Sequence, residues 1–235
     1  MTFSLKGLMA AVFAGVLAAC SPAPDAPVAD RATDFARLDT EIQALMAGED
    51  VKGLAYAVID HGEVMHVAAF GYRNVEQGLP LQTDTIMYGA SLTKAAFGFM
   101  VMQLVEEGLI DLDATIHPWL PRPLAECEDW ASLDDGPARP PLAPRIILSH
   151  ATGLANLRFL EPDGQLDFHR PPGTRYGYSG EGFYILQLVL EEGLGLDVKA
   201  EMQARVFDRF DMPNTSMQWR EDFAGNLADG YALDG

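Results

Sequence analysis

Ser91-Leu92-Thr93-Lys94 sets a lysine three residues after a serine, at the head of an apolar stretch with helical spacing. Residues three apart share one face of a helix, so an amine at Lys94 can take the proton of the Ser91 hydroxyl as that oxygen attacks a carbonyl carbon. A serine and a lysine paired in this way are one variant of the serine-histidine-aspartate arrangement. The same four residues also suit a plain helix start, with the serine as cap and the lysine in solvent. The segments around the pair have to decide between the two.

Three segments bear on that choice. Val105-Glu106-Glu107-Gly108-Leu109-Ile110-Asp111-Leu112-Asp113 follows the serine's helix. Ile147-Leu148-Ser149-His150-Ala151-Thr152-Gly153-Leu154 reads as a helix end turning on a glycine. Pro172-Gly173-Thr174-Arg175-Tyr176-Gly177-Tyr178-Ser179-Gly180 puts Tyr178 just before a further helix.

Together and in this order, these segments resemble the serine β-lactamase-related family, which takes in class C β-lactamases, penicillin-binding carboxypeptidases and related esterases. S-x-x-K is a signature of penicillin-interacting enzymes. The resemblance runs from about Thr33 to Gly235. It implies a β-lactamase/transpeptidase-like fold of the α+β, α/β-sandwich type, with a helical subdomain beside an antiparallel sheet. It also implies hydrolysis by acyl transfer through a seryl ester, with Ser91 as nucleophile and Lys94 as its hydrogen-bonded partner. Tyr178 matches the tyrosine of the family's Y-x-N motif, which shares the proton transfers. Burial of Lys94 and the positive end of the helix would both disfavour a charged amine there, and the Ser91 N–H suits an oxyanion donor. No metal or cofactor is implied. The substrates implied are small esters or amides, β-lactams and peptidoglycan-related D-amino-acid peptides.

Two departures qualify the resemblance. Gly180 stands where the family most often has asparagine, so the side-chain amide that meets the substrate is missing. The family's third motif, a Lys- or His-[Thr/Ser]-Gly strand, does not occur before Gly235. The chain is therefore expected to be the first part of a longer protein, with an incomplete sheet and little activity by itself. A non-catalytic or degenerate penicillin-binding-like lipoprotein is the alternative. An α/β-hydrolase using Gly177-Tyr178-Ser179-Gly180-Glu181 as a G-x-S-x-G elbow is a further one, although glutamate replaces the last glycine. His150 is expected to hold its turn by hydrogen bonds, and Arg175 and Glu181 to lie in solvent. His61 and His66, near Asp60 and Glu63, lack a familiar metal-ligand spacing.

The elements that must position these residues follow from periodicity. Phe35, Leu38, Ile42, Leu45 and Met46 mark an amphipathic helix. Leu54 to Ile59 and Val64 to Phe70 read as two strands joined at Asp60-His61-Gly62-Glu63, a tight hairpin. The first strand is apolar on both faces, as in a sheet covered on both sides. The serine's helix should run from Ser91 to Glu107 and stop at Gly108, with later helices at about Gly182 to Glu192 and Val198 to Phe210. Prolines crowd residues 118 to 144, which should be mostly loop.

The 235 residues are 49% hydrophobic, enough for a core, and carry a formal net charge of −18. Such an acidic chain is repelled by phosphate backbones, which argues against nucleic acid as a partner. Lys6 followed by an uncharged apolar run from Leu8 to Ala19 reads as a signal peptide over residues 1–19, too short to span a bilayer. Leu17-Ala18-Ala19-Cys20 resembles a bacterial lipoprotein signal, which implies a lipidated Cys20. Ser21 resembles the pattern sorted to the outer membrane, so the expected location is the periplasm-facing side of that membrane, with a soluble periplasmic form as the alternative. Residues 20–32 are proline-rich and should form a linker to a domain over 33–235. Cys127 then has no cysteine partner.

Overall fold

The computed structural model describes residues 31–133 and 141–231. The expected signal segment, Cys20 and most of the linker lie outside those residues. The chain divides into two compact units, one up to Gly71 and one from Tyr72.

The first unit is a helix and a hairpin. The stretch with helical spacing forms α1 (Arg31–Gly48), and β1 (Gly53–Asp60) pairs antiparallel with β2 (Glu63–Asn74) from Gly53 opposite Gly71 to Asp60 opposite Glu63. In the turn, His61 has φ 50° and Gly62 φ 83°, positive at both central residues as a type I′ hairpin needs. Asp39 ties α1 to the hairpin. Its carboxylate accepts the Tyr56 hydroxyl at 2.6 Å and meets His66 Nε2 at 2.9 Å, while Phe35 stacks on His66 at 4.8 Å. The bonds from Tyr56 and then His66 hold the Asp39 carboxyl below its ordinary range. Burial, and then Asp39, push Tyr56 up to about 12. His66 thus has a packing role. Along β1 the exposed Ala55, Ala57 and Ile59 alternate with the half-buried Leu54, Tyr56 and Val58. The covered face is the one that meets α1.

Past Gly71, β2 continues to Tyr72 and Asn74, which pair with β3 (Leu79–Pro80) to complete a three-stranded antiparallel sheet. A two-residue strand that includes a proline has no alternation to betray it.

The second unit is mostly helical. A tight 3-10 turn, Ala90–Leu92, leads into α2 (Thr93–Glu106), so Ser91 sits in the turn rather than in the helix proper. Gly108, at φ 73°, ends it, and Leu109 N–H closes back on the Leu104 carbonyl at 3.0 Å. Then come α3 (Pro144–Leu148), α4 (Glu181–Leu188) and α5 (Val198–Met202), the last two widening into π turns over Val189–Gly193 and Gln203–Phe207. Met100, Val101 and Leu104 of α2, Ile147 of α3, Ile185 and Leu186 of α4, and Val198 and Met202 of α5 are fully buried together. Where it is described, at residues 118–133 and 141–143, the proline-rich stretch is loop with three short 3-10 turns, yet it supplies Leu124, Trp130, Leu133 and Leu142 to the same core; the rest of the expected loop lies outside the described residues. Arg145 seats α3 by a two-pronged contact to Asp113 at 2.5 and 2.9 Å. Among the described residues no helix is long and apolar enough to cross a membrane.

Leu104 is fully buried where α2 meets this core, so Leu104→Ala leaves a cavity. Urea unfolding followed by far-ultraviolet circular dichroism should register a loss of about 2–5 kcal/mol.

Candidate active site

The backbone is strained just before Ser91. Ala90 has φ 42°, a left-handed conformation that residues with a Cβ seldom hold and that recurs at functional sites. The 3-10 turn that follows, closed by Leu92 N–H on the Gly89 carbonyl at 3.0 Å, leaves Ser91 exposed. One turn on, Lys94 Nζ donates to Ser91 Oγ at 3.2 Å. The Ser91 N–H lies in the first turn, where backbone donors have no partner one turn back. Ile86, just upstream, is held by residues late in the chain: its N–H donates to the Asn226 carbonyl and its carbonyl accepts Ala228 N–H, both at 2.9 Å.

Tyr178 comes to the same place from the other direction. Lys94 Nζ lies 5.3 Å from the centre of the Tyr178 ring and 5.8 Å from that of Phe183. The Ser91 hydroxyl, as the largest influence, holds the Tyr178 phenol below its ordinary value; burial opposes this, and Lys94 adds to it. Ser91, Lys94 and Tyr178 are therefore brought together. Lys94 itself is half-buried.

Behind Tyr178 stands His150, which reverses the chain after α3 at φ 55°. Its carbonyl accepts Gly177 N–H at 2.8 Å, its Nδ1 accepts Ser179 N–H at 3.1 Å, and its ring stacks on Tyr178 at 4.3 Å. Burial, opposed by the backbone contact with Ser179 and assisted by the charge of Lys94, pushes the imidazole below its ordinary 6.5. Ser179 is buried, its hydroxyl donating to the Ala155 carbonyl at 2.9 Å and accepting Gly182 N–H at 3.1 Å. It caps the start of α4 and is closed to any substrate, which removes the reading of residues 177–181 as a nucleophile elbow.

Two residues behave differently from expectation. Glu181 is buried, not solvated: Oε2 accepts the Trp130 indole N–H at 3.2 Å and Oε1 accepts Arg158 N–H at 2.9 Å. Those partners lie 51 and 23 positions away, beyond any local pattern. At Gly180, an added Cβ would lie 2.7 Å from the Asn156 carbonyl and 3.1 Å from Asn156 Oδ1. Gly180 N–H donates to both of those oxygens, at 2.9 and 3.1 Å. Asn156 thus fills the space beside position 180, and an asparagine there has no room. Arg175 is exposed. Among the described residues no three His, Cys, Asp or Glu side chains are grouped to hold a metal ion.

A family model described as Beta-lactamase matches residues 38–235. The chain belongs to the beta-lactamase family. A lovastatin esterase from Penicillium rubens is 28% identical over 225 residues, covering 82% of this chain and 56% of that protein. Esterase EstB from Burkholderia gladioli is 33% identical over 138 residues, covering 59% of this chain and 33% of its own. The solved structure of EstCE1, described as a hydrolase with promiscuous acyltransferase activity, matches with a TM-score of 0.70 at 24% identity, over 84% of this chain and 56% of that one. The fold is that of the β-lactamases and penicillin-binding proteins, and the family's members are serine hydrolases. The chain spans about half the length of such relatives.

Both oxygens of the buried Glu181 are engaged by donors. In Glu181→Gln an amide NH2 must face one of the two N–H groups, and leaving a buried donor unpaired costs about 1–3 kcal/mol. Thermal melts should show Glu181→Gln below the parent and Glu181→Ala, which strands both donors, lower still.

Proposed function

We propose that this chain carries the nucleophilic part of a serine hydrolase that cleaves carboxylic esters by acyl transfer. The observation that carries the reading is the 3.2 Å contact of Lys94 Nζ with Ser91 Oγ, with the Tyr178 phenol drawn toward the same hydroxyl. Ester substrates are favoured over β-lactams because the relatives named above are esterases and because Gly180 lacks the asparagine amide.

In this reading Ser91 Oγ bonds to the ester carbonyl carbon as its proton passes to the Tyr178 oxygen, with Lys94 beside both to balance the charge. The carbonyl oxygen becomes an oxyanion that accepts the Ser91 N–H. The bond to the alcohol oxygen then breaks, and the alcohol leaves with the proton held by Tyr178. Water repeats the sequence: it gives a proton to the phenolate, adds to the acyl carbon, and Ser91 departs with that proton as the acid is released. We further propose that Leu17-Ala18-Ala19-Cys20 directs export and lipidation of Cys20, tethering the domain to a bacterial membrane on its periplasmic side.

Incubation with an activated ester and with a fluorescent penicillin, followed by mass analysis, tests the chemistry. The ester should add its acyl group at Ser91, and Ser91→Ala should take none. Tyr178→Phe should acylate about 10²- to 10⁴-fold more slowly. Because the reaction uses the phenolate, acylation should rise with pH and level off below 10.0, the ordinary phenol value, since Tyr178 is held below it. Failure of both probes to modify Ser91 in the full-length protein would sink the proposal. For the anchor, Cys20→Ala should abolish incorporation of labelled palmitate in a bacterial host.

A further inference from the structure

The two peptide N–H groups that flank Tyr178 end on one residue. Gly177 N–H donates to the His150 carbonyl at 2.8 Å, and Ser179 N–H donates to His150 Nδ1 at 3.1 Å. Between those bonds the Tyr178 ring lies on the imidazole, centroids 4.3 Å apart and planes 30° from parallel. A further member of the stack, Phe183 of α4, is 5.1 Å from the imidazole and itself lies under Lys94 Nζ. The phenol therefore has its backbone pinned on both sides and one ring face covered by a single residue. That residue occupies a left-handed conformation at φ 55°, which histidine adopts more readily than most side chains.

We propose that His150 is the positioning residue for the Tyr178 hydroxyl, and that it does so only while its Nδ1 is an unprotonated acceptor. This rests on the reading of Tyr178 as the proton carrier for Ser91. An imidazole that accepts at Nδ1 is neutral, with its proton on Nε2; a second proton turns Nδ1 into a donor facing the Ser179 N–H. Bond and stack are then lost together, and Tyr178 is free to rotate away from Ser91.

The surroundings resist that protonation. Lys94 faces the ring from α2, with Tyr176 edge-on at 6.0 Å and Tyr178 stacked from the loop before α4. Arg170 lies under Gly177 and donates to the Tyr176 carbonyl at 3.2 Å. One cation and two phenols thus face the imidazole, and burial disfavours its charged form further. A histidine whose folded value lies below its ordinary one contributes stability above the ordinary value and loses it as the pH falls through the folded one. The positioning should fail over the same acid range, below 6.5.

The test compares two substitutions in the full-length protein. His150→Asn keeps a residue tolerant of positive φ and places an amide oxygen where Nδ1 accepts; His150→Phe keeps the ring and removes the acceptor. Ester acylation of Ser91 should stay within about threefold of the parent in His150→Asn and fall about ten- to a hundredfold in His150→Phe. The fall should appear in the maximal acylation rate and not in the half-saturating ester concentration. The Tyr178 phenol, titrated by ultraviolet difference against Tyr178→Phe, should move up toward its ordinary value in His150→Phe alone. In the parent, nuclear magnetic resonance should show the Ser179 amide titrating together with the His150 ring nitrogens, a measurement that needs no variant to fold. Parent-like acylation and phenol titration in His150→Phe would overturn the proposal, as would a loss in His150→Asn equal to that in His150→Phe, or a Ser179 amide that ignores the imidazole. A parent that is not acylated at Ser91 defeats the hydrolase reading instead, and the phenol and amide titrations then decide the role of His150 by themselves.

Discussion

The close seating of the start of α4 on residues 152–158 is the constraint from which the rest of the site follows. Gly182 leaves a would-be Cβ 2.8 Å from Thr152 Cγ2, and Gly180 leaves one 2.7 Å from the Asn156 carbonyl. That carbonyl accepts the N–H groups of both Gly180 and Glu181, at 2.9 and 3.1 Å. Two side chains complete the junction from within, Ser179 by capping Gly182 and Glu181 by reaching the Trp130 indole and the Arg158 amide. A buried carboxylate is tolerable only with donors on its oxygens, and a helix start is where its charge is least costly. With residues 179–182 fixed in this way, Tyr178 has one place to leave the chain, and His150 orients what remains free. The absence of a side chain at position 180 is accordingly a packing requirement of this chain. Asn156 takes the space that the family's asparagine would need.

What could be read from the sequence was what local pattern encodes. The three-residue spacing of Ser91 and Lys94 becomes a 3.2 Å contact because a helical turn leaves no other outcome for two side chains on one face. His61-Gly62 turns as expected because two positive φ values demand such residues, and Gly108 ends α2 for a similar reason. The remaining features depend on partners far away in the chain. Glu181 looked like a solvated acid because nothing near it announces Trp130. The clasp of Ile86 by Asn226 and Ala228 spans most of the second unit and carries no motif. Residues 118–133 were legible as loop from their prolines, but not as a wall of the core, since irregular backbone buries Leu124 and Trp130 without any periodicity.

The balance of charge around Tyr178 argues for a particular resting state. Lys94 is half-buried and touches the Ser91 hydroxyl. Its charge lowers the phenol and the imidazole alike. For the phenol this favours the deprotonated form, which can accept the serine proton. For the imidazole it favours the neutral form, which can accept the Ser179 N–H. One cation therefore adds to the Ser91 hydroxyl in lowering the base, and to burial in lowering the residue that holds the base in place. Replacing Lys94 by an uncharged residue would remove the proton acceptor's stabilisation and, in the same step, let His150 gain a proton more easily and release Tyr178. The two losses share a cause, so the effect of removing Lys94 should exceed what its contact with Ser91 alone would account for, and substitutions at 94 and 150 should not be additive.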